Sequence, residues 1–556
     1  MKRIFIIGLL FVFVQICLIN SQPSEKNNEI QRKATKIFDI QQNTLSNIEF
    51  YTSNYGIFSL NISGNSGGFF WPRGSGNLYI FAGGFWFGAI KKAPNDTIYR
   101  KFVEITYNPN SGKSWMVPGR IEDSDTVYTK DVTKYRCYFS TDFNKESGQP
   151  KDIADGQNWP YWKTNLSDKL PLNSFSNIFI NDESKRDVNS YNLGPSFVSD
   201  EDIHSVYKDT DLNSFDGGSA LRKSKGYPLR LQIEEHIYSW KNPILKDVIV
   251  QVYDITNSSK DTLYNCFFAP IADVDIAVKG NYQKGAANDY CRYFNQDECA
   301  RLGVFWSGTD QGEKNYGFGY IGISLLEAPA VDKNNFLKKE KFFYEKSEQI
   351  SKFTFRNWNI SQDISDDDKR YNFISSLIRD GDFGPGDKRS LISTGPFNLL
   401  PGEKTRIAIA YILAYPAINA ESSGSTEDLT GNKNGGSYCD NIPAKEGSLL
   451  KKTQDITKYY YNKLILDVIE SSSKSDDYSI YPNPGEDYMI INVWTNGRSP
   501  LQSEIEIYNY LGVRIPSSLT PKLSEGVGEV KIDISNLPPG VYFVRIGDYF
   551  EKFVKL

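Results

Sequence analysis

The chain is 556 residues long, 39% hydrophobic and 14% aromatic, with 35 Tyr and 34 Phe, which excludes a disordered polymer and leaves room for two or three folded domains. Its formal charge is −5 with no long basic run, which argues against nucleic acid as a partner. Only His204 and His236 are present and no CxxC pair occurs, so a zinc site of the usual Cys/His kind is excluded.

The first predicted element is a leader. Lys2 and Arg3 precede an apolar stretch from Ile4 to Ile19, and the chain turns polar at Asn20. A charged start, a short apolar run and small residues make a secretory signal peptide, residues 1–21, with cleavage expected after Ser21 to leave Gln22 first. The run is shorter than the roughly 20 residues a spanning helix needs, which disfavours a permanent anchor. Bulky Ile16 and Gln15 disfavour a lipid anchor on Cys17. Loss of Lys2 and Arg3 leaves 61 basic against 68 acidic residues, a net of −7.

Residues 22–470 read as a β-rich passenger. Tyr, Phe, Ile and Val recur in short runs between Gly, Pro, Asn, Asp and Ser clusters, as in Ile57 to Ile62, Leu78 to Phe81 and Leu229 to Tyr238, predicting a large antiparallel sandwich. In Lys246 to Ile255 both alternating sets are largely apolar, so this strand is expected at the centre of a thick core. Two helices are predicted. One runs from Asp366 to Arg379 with Tyr371, Ile374, Leu377 and Ile378 on one face, the other from Leu449 to about Ile469.

Within the passenger, Gly64-Asn65-Ser66-Gly67-Gly68 fits G-x-S-x-G. A nucleophile elbow enters a helix directly, whereas Phe69-Phe70-Trp71-Pro72 follows here, so a glycine-rich hairpin is the better reading. The aromatic runs Phe69 to Trp71, Phe85 to Phe87 and Trp159 to Trp162 are expected in the core; the alternative is a stacking surface for a glycan or surface polymer. Asp273, Asp275, Asn288, Asp289, Asp297 and Glu298 follow the long strands and offer the oxygen ligands that Ca²⁺ takes; Asp273, Asp275 and Asp289 are the candidate ligands, and no other cofactor is implied. Asp380 to Asp387 has a similar acidic, glycine-rich look. With 68 acidic residues no catalytic carboxylate pair stands out, and none is assigned.

Five cysteines remain after the leader: Cys137, Cys266, Cys291, Cys299 and Cys439. In an oxidising compartment Cys291 and Cys299, eight positions apart, are candidates for a short disulfide loop, while the odd count leaves a thiol free. The alternative reading is that most are small buried hydrophobes.

Ser471 to Asp477 has a linker composition, and residues 478–556 read as a separate small module. Seven short strand candidates, divided by Asn496-Gly497 and Pro538-Pro539-Gly540, predict an immunoglobulin-like sandwich. Glu506 between Ile505 and Ile507 gives that strand one wet face and one buried face.

Several blocks stand in order here: Tyr481-Pro482-Asn483-Pro484; Ile505 to Asn509 with Leu511-Gly512; Ile534 to Val544, including Leu537, Pro538, Gly540 and Tyr542; and Lys552 to Leu556. Together they resemble the type A C-terminal sorting domain of the type IX (Por) secretion system. The resemblance implies passage by the general export machinery, then by the type IX translocon, to the cell surface or medium. It implies a cell-surface sortase that removes the module and can link the passenger to lipopolysaccharide. Within that family the 537–540 turn shapes the next strand, and Lys552 to Leu556 is what the machinery engages. Blocks such as Phe81 to Gly88, Ala272 to Ile276 and Ser393 to Phe397 resemble uncharacterised passengers of the same kind and bring no activity with them.

Two functions remain open from sequence: a non-enzymatic binding, adhesion or structural protein, and a secreted hydrolase acting on polysaccharide or protein. The absence of a nucleophile, metal or cofactor motif favours the first.

Overall fold

The computed structural model describes residues 37–92, 97–121, 135–142, 161–163, 178–180, 199–215, 218–295, 299–308, 318–339, 344–418, 423–432, 444–461, 478–493, 505–509, 515, 529–546 and 549–556. The leader at 1–21 and the linker at 471–477 therefore lie outside the described residues.

Two antiparallel sheets make the body. The larger runs in the order Tyr138–Phe139, Glu201–Lys208, Leu231–Ser239, Val248–Asn257, Lys404–Ala414, Tyr320–Glu327, Leu302–Ser307, Asp289–Tyr293, and Val117–Pro118 also pairs with Glu201–Lys208. The smaller runs Phe353–Asn359, Lys388–Leu399, Leu263–Val274, Ala82–Lys92, Tyr99–Ile105. Val248–Asn257 is central as expected, and its two apolar sets enter different cores. Ile249, Tyr253 and Ile255 point into the core shared with the smaller sheet, where Tyr253 meets Phe85 at 5.4 Å and Phe268 at 4.9 Å. Val248, Val250 and Val252 join a second core on the opposite face. A strand buried on both sides has no use for polar alternation, which is why its sequence shows so little.

The second core is closed by the helix Leu449–Tyr459, whose Leu449, Leu450 and Ile456 are fully buried over Ala408, Ala410 and Ile412. Ser448 caps it by accepting from the Lys451 amide at 3.2 Å. The predicted continuation beyond 461 lies outside the described residues. The other predicted helix is shorter than expected, Asp367–Ile374, with Asp366 as its cap. Leu377 adopts φ +56°, and the Ile378 carbonyl and Asp380 amide then bond to Phe355 across the neighbouring strand. Edge pairing ends the helical run, leaving Leu377 and Ile378 exposed.

Gly64 lies in the expected hairpin, with Leu60–Asn61 paired to Ser66–Gly67. Phe69, Trp71, Phe85, Trp86 and Phe87 are buried core residues. Trp159 and Pro160, and the side chains of Tyr161 and Trp162, lie outside the described residues.

The C-terminal residues form two three-stranded sheets, Tyr478–Tyr481, Tyr488–Val493, Glu529–Asp533 and Ile505–Asn509, Gly540–Ile546, Tyr549–Lys555. Between them lies a core that, among the described residues, is built from positions 480 to 553, including Met489, Ile491, Ile505, Ile507, Ile532, Val544 and Phe553. Six of the seven predicted strands are present; of the seventh, Gly512 to Ile515, only Ile515 is described.

Candidate functional site

Asp273 is the penultimate residue of the long strand Leu263–Val274, and its register places it opposite Arg389 on one side and Ala82 on the other. Its Oδ2 accepts from the Tyr107 hydroxyl at 2.9 Å and the Arg389 guanidinium at 3.2 Å. Asp275 follows two residues on, and Asp387 sits immediately before the strand Lys388–Leu399. One carboxylate oxygen from each of Asp273, Asp275 and Asp387 lies within 4.8 Å of the others. Two sequence candidates, the 273–275 acids and the 380–387 loop, thus meet in one place.

Asp289, the third expected ligand, has a different local role. Its Oδ2 accepts the Ile276 amide at 2.8 Å, and its backbone pairs with Gly386. It is fully buried, and among the described residues its Oδ1 has no hydrogen-bond partner; nor have the buried Oδ1 atoms of the half-buried Asp275 and Asp387. Burial, then the charge on Asp273, pushes Asp275 up to about 8. Burial and the same neighbour push Asp387 to about 6. Burial lifts Asp289 well above the usual carboxylate range, with Asp275 and Asp387 adding to the shift. Among the described residues, positive charge close by comes from Arg389, which also pairs with Asp363, and from Lys388.

The remaining acids of these loops are engaged locally. Asp380 pairs with Arg356 at 2.9 Å and accepts the Asn357 amide, and Asp382 accepts the Cys291 amide at 3.0 Å. Asp297 and Glu298 lie outside the described residues. Asn288 donates its amide to Gly285 and accepts from Gly308 through its own carbonyl, as a turn residue does.

The expected Cys291–Cys299 disulfide is corrected. Cys291 is a free thiol buried between the sheets, as is Cys266, and Cys137 is buried there too, whereas Cys299 is disulfide-bonded and Cys291 is not its partner. Alternation along Asp289–Tyr293 turns Cys291 inward with Asp289 and Tyr293, which fits the small-hydrophobe reading for this residue.

The two histidines, which sequence reasoning left unassigned, meet each other. His204 and His236 are directly opposite across neighbouring strands with Nδ1 to Nδ1 at 3.3 Å, so one ring donates and the other accepts. Burial holds His236 down at about 4, with Lys404 and Arg406 opposing protonation and Asp254 and Glu234 favouring it.

In the C-terminal module, the Tyr481 to Pro484 turn lies against the last strand. Asn483 Oδ1 accepts the Val554 amide at 2.9 Å, the Gly485 amide donates to the Val554 carbonyl at 2.9 Å, and the Leu556 amide donates to Gly485 at 2.9 Å. On the other side that strand pairs with Gly540–Ile546, with Gly540 opposite Lys555 and Phe543 opposite Lys552. Leu537 is buried, and the Tyr542 hydroxyl returns to the Pro538 carbonyl at 2.8 Å, closing the turn before the strand. Two of the sequence blocks, Tyr481 to Pro484 and Ile534 to Val544, thus flank the terminal strand, while Ile505–Asn509 pairs with the far edge of Gly540–Ile546. Gly512 lies outside the described residues.

Residues 479–555 match the family described as the secretion system C-terminal sorting domain. The chain therefore carries a type IX sorting domain at its C-terminal end. No curated protein matches the sequence. Among solved structures, a polysaccharide lyase is similar at 8% identity and TM-score 0.18, over 94% of this chain and 47% of that protein, so this chain spans about half its length. A putative aldose 1-epimerase from Escherichia coli K12 is similar at 10% identity and TM-score 0.22, over 68% of this chain and 99% of that one. Among the described residues no helix is long and apolar enough to cross a membrane.

Proposed function

We propose that this protein is made with a cleaved leader, crosses the inner membrane by general export, and is carried over the outer membrane by the type IX translocon. Its C-terminal module is the address. The observation that supports this most is the sorting-domain match at 479–555, on residues that pack a core of their own. A surface sortase then acts in the 471–477 linker, separating the module from the 22–470 passenger.

The passenger, in this reading, is a binding, adhesion or structural module with a glycan or surface polymer as its ligand class. Support comes from how its carboxylates are used. A cleft of about 360 Å³ is bounded by Tyr99, Lys101, Lys225, Asp366 and Asp367 among others. There Asp366 caps a helix and pairs with Lys369, Asp367 pairs with Arg222 at 3.5 Å, and Asp368 is exposed; three acids on consecutive residues at one helix start form one wall and do not suit a facing general acid and base. The test is incubation of the purified protein with polysaccharides, cell-wall fragments and proteins, reading binding and product release together. Binding without products supports the reading. Products that co-purify with the protein and vanish on mutation of one cleft carboxylate establish the alternative, a secreted hydrolase.

A further inference from the structure

We propose that Asp273, Asp275 and Asp387 bind a calcium ion, with the buried carboxylate of Asp289 beside them. The three ligand oxygens lie within 4.8 Å of one another. Oxygens held at 2.3–2.6 Å from a shared Ca²⁺ can be no more than about 5 Å apart, so the spread fits one ion. On Asp273, Tyr107 and Arg389 both donate to Oδ2 and so fix the carboxylate in place.

An independent observation points the same way. Asp289 is 0% exposed, its Oδ2 is satisfied by the Ile276 amide, and its Oδ1 has no partner among the described residues, while Asp275 and Asp387 are its acidic neighbours. Oδ1 of Asp275 and of Asp387 are buried and unpartnered too. Buried carboxylate oxygens without donors are costly, and native interiors rarely leave them so. Four carboxylates face Arg389 and Lys388, and Arg389 is shared with Asp363. A divalent cation supplies the missing charge.

The donor set is all oxygen, which suits a hard cation and disfavours zinc or copper. Calcium, which takes six to eight oxygens with loose geometry, accommodates ligands from two distant loops better than magnesium, which demands a near-ideal octahedron. The bound ion would fasten the end of Leu263–Val274 to the start of Lys388–Leu399. Through Asp289, whose backbone bonds to Gly386, it would also brace the edge strand of the larger sheet.

The experiment is a thermal melt and a calorimetric titration of the purified full-length protein after EGTA treatment, with Ca²⁺ added to about 10 mM, well above the roughly millimolar upper end of calcium affinities in extracellular modules. The expected result is a rise in Tm with Ca²⁺ that EGTA reverses, with half-saturation at least about tenfold weaker in Asp275→Asn and in Asp387→Asn. Both variants should fold without calcium at least as well as the parent, since each removes a repelling charge; a carboxylate with a merely structural role would lower the calcium-free Tm instead. Asp332→Asn, in an exposed turn where Asp332 accepts the Asn334 and Phe336 amides, remote in sequence from the cluster, should keep the full response. The proposal is overturned if Ca²⁺ changes neither Tm nor heat, if the response survives in both variants, or if Mg²⁺ alone produces it.

Discussion

Asn483 and Val554 are joined by a 2.9 Å hydrogen bond from the Val554 amide to the Asn483 side chain, so the Tyr481 to Pro484 turn grips the strand that ends the chain. Asn483→Ala removes that bond and leaves the neighbouring Gly485 backbone pairs. The expected cost is about 1 kcal/mol of local stability. Faster hydrogen exchange at the Val554 amide, with little change at Val544, is the readout.

Gly485 shows how tightly the turn is fitted. A Cβ there would lie 2.9 Å from the Phe553 ring and 2.9 Å from the Pro482 carbonyl. Gly485→Ala is therefore expected to cost about 1–3 kcal/mol by overpacking. Chemical denaturation followed by a probe in the C-terminal module measures it.

These contacts also explain what was legible in the sequence. The C-terminal blocks are local: turn, strand and terminal strand each carry a short signature, and the fold brings them together in the expected way. Val248–Asn257 was legible because a strand buried on both faces is apolar on both. The carboxylate cluster was only half legible. Asp275 and Asp387 stand 112 positions apart, and the pairing of Leu263–Val274 with Lys388–Leu399 that brings them together is tertiary. The Asp366–Arg379 helix was overdrawn because the periodicity of Leu377 and Ile378 carries no sign of the left-handed turn at Leu377. Cysteine spacing suggested Cys291–Cys299, but strand alternation turns Cys291 into the core.

Glu235 gives a pH dependence. It lies in the main core, accepting from the Tyr207 hydroxyl at 2.8 Å and from Gln251, and burial pushes it up to about 7. A carboxyl raised in the folded state contributes stability that is full below its unfolded value of about 4.5 and lost as pH rises through 7. Glu235→Gln should flatten that loss and leave the variant more stable than the parent at pH 8, by on the order of 1–3 kcal/mol. Tm measured from pH 4.5 to 8 tests the sign.

His236 acts in the opposite direction. Held down to about 4, it contributes stability that is full above its unfolded value of about 6.5 and lost as pH falls toward 4. His236→Gln should weaken the pH dependence of Tm between 6.5 and 4. An unchanged acid slope would contradict the buried neutral pair it forms with His204.

Asp247 links the helix Leu449–Tyr459 to the body. Its carboxylate accepts from Trp71 at 2.8 Å, Asn47 at 2.6 Å and Lys452 at 2.7 Å, and the Lys452 charge holds it below the usual carboxylate range against the cost of burial. Asp247→Ala strips three donors of their acceptor and is expected to cost about 3 kcal/mol. Urea unfolding of the purified protein measures it.

The central claim, that the C-terminal module directs this protein out of the cell, is tested most directly by deleting Lys552 to Leu556 and locating the protein by cell fractionation. Removing these residues takes away Val554 and Leu556, which bond to the Asn483 and Gly485 turn, and the half of the strand that pairs with Gly540 to Phe543. The expected result is accumulation in the periplasm with the sorting module still attached. Undiminished arrival of the truncated protein at the cell surface or in the medium would contradict it.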